Sequence, residues 1–130
     1  MTALAYVDAS ALVKLVVDEA ESQAMTRWYV EAERLVTSRV GHVETVRAAS
    51  RRDHDPARRD LVLAGVEVFE LSAGVAGAAA MLQPVLLRTL DAIHIATALA
   101  LGPELDAFVT YDDRLAEAAR AVGLPVVRPA

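Results

Sequence analysis

Two periodicities alternate along the chain. Short apolar runs of about four to six residues recur, separated by segments whose apolar side chains return every three or four positions. The first run, residues 3–7, includes Tyr6 and Val7 and stops at Asp8. It suits a strand buried on both faces. Residues 9–17 read as a helix with Leu12, Leu15 and Val16 on one side and Asp8 or Ser10 as its cap. A second helix is expected over residues 21–32, with Met25, Trp28 and Tyr29 as an apolar stripe belonging to core or to a dimer interface. Residues 35–38 form a second strand, and Ser38 caps a third helix over 40–52. Asp55-Pro56 opens a fourth helix that Gly65 ends. Residues 66–71 alternate as an edge strand does. Ser72 caps an alanine-rich helix through about Gln83, before Pro84. Thr89 caps a helix over 90–101 that is apolar nearly all round apart from Asp91, His94 and Thr97, and so is central and buried. Residues 107–111 are another buried strand, 114–122 a helix, and 125–127 a last short strand. This alternation predicts an α/β fold with a mostly parallel sheet.

Composition narrows the picture. The 130 residues correspond to one domain. The apolar share is 55%, much of it Ala and Val, which predicts a core of small side chains under closely packed helices. No apolar run reaches the roughly 18 residues of a membrane span. No basic segment precedes Asp8, so a signal peptide is not expected. The absence of cysteine excludes disulfides and thiolate metal sites. A soluble, cytoplasmic protein is the expectation.

The net charge of −5 argues against a nucleic-acid partner if taken globally. Its distribution weakens that objection. Arg34, Arg39, Arg47, Arg51, Arg52, Arg58 and Arg59 face only Glu44, Asp53 and Asp55 in the same stretch. Acids gathered at a metal would also lower the total without repelling a phosphate.

Asp8 and Asp112 each end a strand and precede a helix. If those strands are neighbours where strand order reverses, both carboxylates face one crevice. Glu44 falls on the helical stripe of Val40, Val43, Arg47 and Ala48, and Asp91 lies in the first turn of the buried helix with Ile95 and Ala98 on its face. Any one of these acids is explained by a helix dipole or a surface pair. As a set they repel, by about 3 kcal/mol for a pair about 5 Å apart at an effective dielectric of about 20. Such a set takes up protons or a cation, and oxygen-only donors select Mg²⁺ or Mn²⁺. Ions of this kind activate water and stabilise charge on a phosphoryl group.

Val7-Asp8-Ala9-Ser10-Ala11-Leu12, Val43-Glu44, the Leu90–Ala98 segment containing Asp91-Ala92-Ile93-His94-Ile95-Ala96, and Val109-Thr110-Tyr111-Asp112-Asp113-Arg114-Leu115 resemble, in order and spacing, the signature of PIN-domain nucleases. VapC-type toxins of type II toxin–antitoxin pairs are the nearest subgroup. The resemblance implies a PIN-like three-layer sandwich over residues 1–130, with a central parallel sheet of four to five strands flanked by helices. It implies that Asp8, Glu44, Asp91 and Asp112 are the catalytic acids and bind Mg²⁺ or Mn²⁺. Ser10 and Thr110 would support them, and Asp113 could ligate directly or through water. It further implies cleavage of structured RNA (tRNA or rRNA), a small VapB-like antitoxin as partner, and a homodimer. Arg47, Arg51 and Arg88 are candidates for RNA or antitoxin contact. His94, one turn after Asp91, suits a hard cation poorly and reads as a structural histidine. A competing reading is a catalytically weak module that binds antitoxin and operator DNA. A phosphoacceptor domain would need a lysine at the end of a late strand, and the only lysine is Lys14.

Overall fold

The computed structural model describes residues 2–130. Among them, five strands form one sheet: β1 (Leu4–Val7), β2 (Arg34–Ser38), β3 (Glu67–Phe69), β4 (Ala107–Val109) and β5 (Val126–Val127). Their spatial order is β3-β2-β1-β4-β5, and every pairing is parallel. The chain adds strands to one side of β1 and then crosses to the other, so strand order reverses between β1 and β4. Ligand crevices in open α/β sheets lie at that point, beyond the strand carboxyl ends.

Seven helices cover the sheet: α1 (Ala9–Val16), α2 (Ser22–Glu31), α3 (Arg39–Ser50), α4 (Pro56–Ala64), α5 (Ala73–Ala80), α6 (Thr89–Ala100) and α7 (Asp113–Ala121). Side-chain alternation along β1 divides the core. Ala5 and Val7 pack with Leu12 and Leu15 of α1 and Met25 of α2, and the half-buried Trp28 and Tyr29 close the edge of that layer. Leu4 and Tyr6 point the other way, to Ile95 of α6 and Leu115 of α7. Tyr6 stacks on Phe108 of β4 with ring centroids 5.2 Å apart. Burying an aromatic of this size stabilises the fold by about 2–3 kcal/mol. The result is the three-layer arrangement expected from the sequence.

Several boundaries differ from expectation. α5 stops at Ala80 instead of Gln83, since the residue before a proline disfavours helical backbone and the last turn must finish earlier. α6 begins at Thr89, with Arg88 at the cap position and no side-chain cap, so Thr89 is helical and not a cap. α6 is buried through Asp91, Ala92 and His94–Thr97, but Leu90 and Leu99 are exposed, so it is not sealed all round. The buried stripe of α3 is Gly41, Thr45 and Ala49. Val40, Val43, Arg47 and Ala48 line an open cleft instead. Small residues let α3 approach its neighbours closely, and hydropathy periodicity gives them little weight.

The basic segment is mostly occupied in surface pairs. Arg34, Arg39, Arg52, Arg58 and Arg59 contact Glu67, Glu70, Glu19, Asp18 and Asp60. Exposed pairs of this kind contribute about 0–1 kcal/mol each. Lys14 is buried on α1 against Glu19 and Glu21, far in sequence from any late strand. No helix among the described residues is long and apolar enough to cross a membrane.

Candidate active site

β1 and β4 deliver their acids to the same place. Val7 pairs with Val109, and the Asp8 N–H donates to the Val109 carbonyl at 3.1 Å. Asp8 leaves the strand in extended conformation and caps α1, where Oδ1 accepts from Ala11 N–H at 3.0 Å. Ser10 Oγ donates to the same oxygen at 2.7 Å, and Thr110 Oγ1 donates to Oδ2 at 2.5 Å. Those hydroxyls are themselves tied down. The Tyr111 N–H donates to Ser10 Oγ at 2.8 Å, and the Asp112 N–H donates to Thr110 Oγ1 at 3.0 Å. Asp8 is 3% exposed, and burial pushes its carboxyl above the ordinary range, partly offset by the Thr110 and Ser10 bonds.

Asp112 caps α7, with Oδ1 accepting from the N–H groups of Arg114 and Leu115. Its neighbour Asp113 pairs with Arg128 at 2.7 Å and is almost fully exposed. Arg128 also stands over the Tyr111 ring, whose hydroxyl donates to the Pro129 carbonyl. Asp113 is therefore drawn toward the end of the chain.

Asp91 and Glu44 come from helices. Asp91 is buried in the first turn of α6, and its Oδ2 has no hydrogen-bond partner. Burial pushes the Asp91 carboxyl up, Asp112 and Glu44 add to that rise, and His94 and Arg88 oppose it. Asp91 thus lies within electrostatic reach of two of the other acids. Glu44 projects from α3, with Oε1 2.6 Å from His94 Nε2. On its other ring nitrogen, His94 Nδ1 lies 2.5 Å from the Tyr6 hydroxyl.

A cleft of about 570 Å³ opens beside these groups, with Ser10, Glu44, Val43, Leu90, Arg47 and Arg51 in its wall. Arg47 and Arg51 make no ion pair among the described residues. Of the seven arginines in the basic segment, these two remain available to a ligand. A second hollow of similar volume, near Met81, Val85 and Leu87, has no titratable side chain in its wall and so no evident chemistry.

The four acids carry oxygen donors only, and the orphaned Asp91 Oδ2 is the kind of atom that a cation would satisfy. The donor chemistry therefore fits Mg²⁺ or Mn²⁺. The side chains do not form a finished cage: no three His, Asp or Glu side chains among the described residues converge closely enough to hold an ion. Glu44 is turned to His94, and one oxygen of Asp112 is committed to its helix. Sharing one cation requires these side chains to draw together.

Tyr6 and Gly41 give no sequence signal as site residues. Tyr6 reads as strand core and Gly41 as a helical glycine, and only the fold brings both against His94.

Comparison with known proteins follows the same lines. Residues 5–121 match the PIN domain family model. Ribonuclease VapC35 of Mycobacterium tuberculosis is 44% identical over 130 residues, covering 95% of this chain and 96% of its own. Ribonuclease VapC47 of the same organism is 38% identical with the same coverage. The crystal structure of M. tuberculosis VapC20, a sarcin–ricin loop cleaving toxin, superposes with a TM-score of 0.73 over 96% of this chain and 99% of that one. At 20% identity that likeness speaks for the fold alone. The chain belongs to the PIN domain family and, within it, to the VapC group of ribonucleases.

Proposed function

We propose that this chain is a divalent-metal-dependent endoribonuclease toxin that hydrolyses phosphodiester bonds in structured RNA (tRNA or rRNA) and is restrained by a small VapB-like antitoxin. The single observation that carries the reading is Asp91 Oδ2, a buried carboxylate oxygen without a partner, held near Asp112 and Glu44. An uncompensated buried charge is costly unless a ligand relieves it.

Asp8, Asp91, Asp112 and Glu44 are the residues that would hold Mg²⁺ or Mn²⁺. When bound, the ion supplies positive charge to the phosphoryl oxygens and activates water for in-line attack. Ser10 and Thr110 keep Asp8 in one orientation. Arg47 and Arg51, one turn apart on α3, hold the RNA backbone along the cleft. Arg88 sits at the N-terminus of α6, near enough to Asp91 to temper its charge and meet a phosphate or an antitoxin. Asp113 is a supporting residue at most, given its pairing with Arg128. We propose the homodimer contact at Met81, Val85 and Leu86, a strongly exposed apolar group of the α5–α6 connection.

The test uses antitoxin-free protein, incubated with total RNA and Mn²⁺ or Mg²⁺ beside Asp8→Asn and Asp91→Asn variants. Discrete fragments that disappear in both variants and with a chelator are expected. Intact RNA under every condition sinks the nuclease reading. Light scattering on the same preparation gives twice the chain mass, and a monomer mass rejects the dimer.

A further inference from the structure

A hydrogen-bonded chain runs from the middle of the sheet to the edge of the cleft. Tyr6 is fully buried on β1, held between Phe108, stacked at 5.2 Å, and the His94 ring, edge-on at 5.7 Å. Its hydroxyl lies 2.5 Å from His94 Nδ1, and His94 Nε2 lies 2.6 Å from Glu44 Oε1. His94 is 3% exposed, whereas the Glu44 side chain is about one-third exposed. The imidazole therefore bridges the interior and the one acid of the set that comes from α3.

The partners fix the direction of the bonds. A carboxylate only accepts, so Nε2 must carry the proton that reaches Glu44. Nδ1, 2.5 Å from the phenol oxygen, accepts its proton when the ring is protonated at Nε2 alone. With the proton on Nε2, the phenol, the ring and the carboxylate each have a partner.

The backbone is cut to fit this chain. Gly41 lies one turn before Glu44 on the same side of α3. A Cβ there would collide with Thr37 Oγ1 and come within 3.3 Å of His94 Cε1. The missing side chain lets α3 seat against β2 and α6, which brings Glu44 within reach of the ring.

We propose that His94 is a positioning residue for Glu44: Nε2–H holds Glu44 Oε1 so that Oε2 is presented to the cleft, and the Tyr6 hydroxyl at Nδ1 keeps the ring in place. This goes beyond a structural histidine, since the ring acts on one acid through one oriented bond. It rests on the reading of Glu44 as a site acid. Orienting groups behind metal-binding side chains are worth about 10–100-fold in metal affinity or activity.

Two measurements test it separately. The first needs neither metal nor RNA: long-range ¹H–¹⁵N spectra of the intact protein, with His94 assigned by comparison with His94→Gln. A ring protonated at Nε2 is expected, and that proton should persist in Tyr6→Phe, which keeps the ring stack and the Glu44 acceptor. A wild-type Nε2 without a proton overturns the proposal. The second is a Mn²⁺ titration followed by electron paramagnetic resonance. His94→Ala should weaken binding about 10-fold or more, and Glu44→Gln similarly. The double variant should be no worse than the weaker single one. His94→Gln, whose amide can still donate to Glu44, should restore much of the loss. Losses that multiply in the double variant overturn the proposal. If the wild-type protein binds no Mn²⁺ at all, the metal reading fails, and the tautomer measurement alone decides the role of His94.

Discussion

Asp8 and Asp91 are both buried acids, and the fold treats them in opposite ways. Asp8 stands at a strand end, where two backbone hydrogen-bonding positions and two hydroxyls converge. Both of its oxygens are occupied, by Ser10 and Ala11 on one and Thr110 on the other. Asp91 stands in the first turn of a helix that has no side-chain cap, and its Oδ2 has no hydrogen-bond partner. Burial pushes both carboxyls up, but only Asp8 has donors aimed at it to offset that. The strand-end half of the site is thus finished by the fold, and the helix half is left open. An open half at a fold's expense is what a ligand-binding position looks like.

The largest effect expected from this contrast is on cleavage, where the two acids should behave alike. Asp8→Asn and Asp91→Asn should each lower the RNA cleavage rate by about 10²–10³-fold, the usual cost of losing one charge-stabilising group. The rates are read from single-turnover assays on a structured RNA at fixed Mn²⁺. An Asp8→Asn protein that cleaves at the wild-type rate would reduce Asp8 to a helix cap and confine the chemistry to the helix half.

Stability should separate them. Asp8→Ala removes the α1 cap, worth about 1 kcal/mol, and strands the Thr110 hydroxyl in the interior at about 1–2 kcal/mol more. A total loss of about 2–3 kcal/mol should appear as a lower denaturation midpoint in urea with an unchanged slope. A neutral result there means that the donors around Asp8 re-pair easily and that this half is less finished than its hydrogen bonds suggest.

Much of this contrast is legible in the sequence, but unevenly. The β1 and β4 strand ends announce themselves, because an apolar run that stops at Asp8 or Thr110-Tyr111-Asp112 has a local cause. The caps at Asp8, Ser38, Asp55 and Ser72 are likewise local and appear where expected. The helix half is harder to read. Hydropathy puts Glu44 on an apolar stripe with Val40 and Val43, whereas the face of α3 that packs inward is Gly41-Thr45-Ala49. That face is small and partly polar, so hydropathy cannot find it. The basic segment shows the same limit. Seven arginines are visible in the chain, but only packing reveals that five have acidic partners and that Arg47 and Arg51 line the cleft. The Tyr6–His94 contact spans 88 positions, and no local pattern encodes it.

The smallest effect is the most diagnostic of the open half. In Asp91 the folded-state pKa is raised above the unfolded value, by burial first and by Asp112 next. The folded protein therefore holds this proton more tightly than the unfolded chain does. Its stabilising contribution is complete below the unfolded value of about 4 and is lost as pH rises through the folded value. Asp91→Asn removes that loss. The variant should match wild type near pH 4 and become more stable above it, seen as a melting temperature above that of wild type at pH 7 but not at pH 4. Taking the difference between the two proteins at each pH cancels the titration of acids that both share, including Asp8. Saturating Mn²⁺ at pH 7 should stabilise wild type by binding only the folded state, and so close the gap or reverse it. A variant less stable than wild type at pH 7 without metal would mean that Asp91 has a partner in solution, and the distinction between the two halves would go with it.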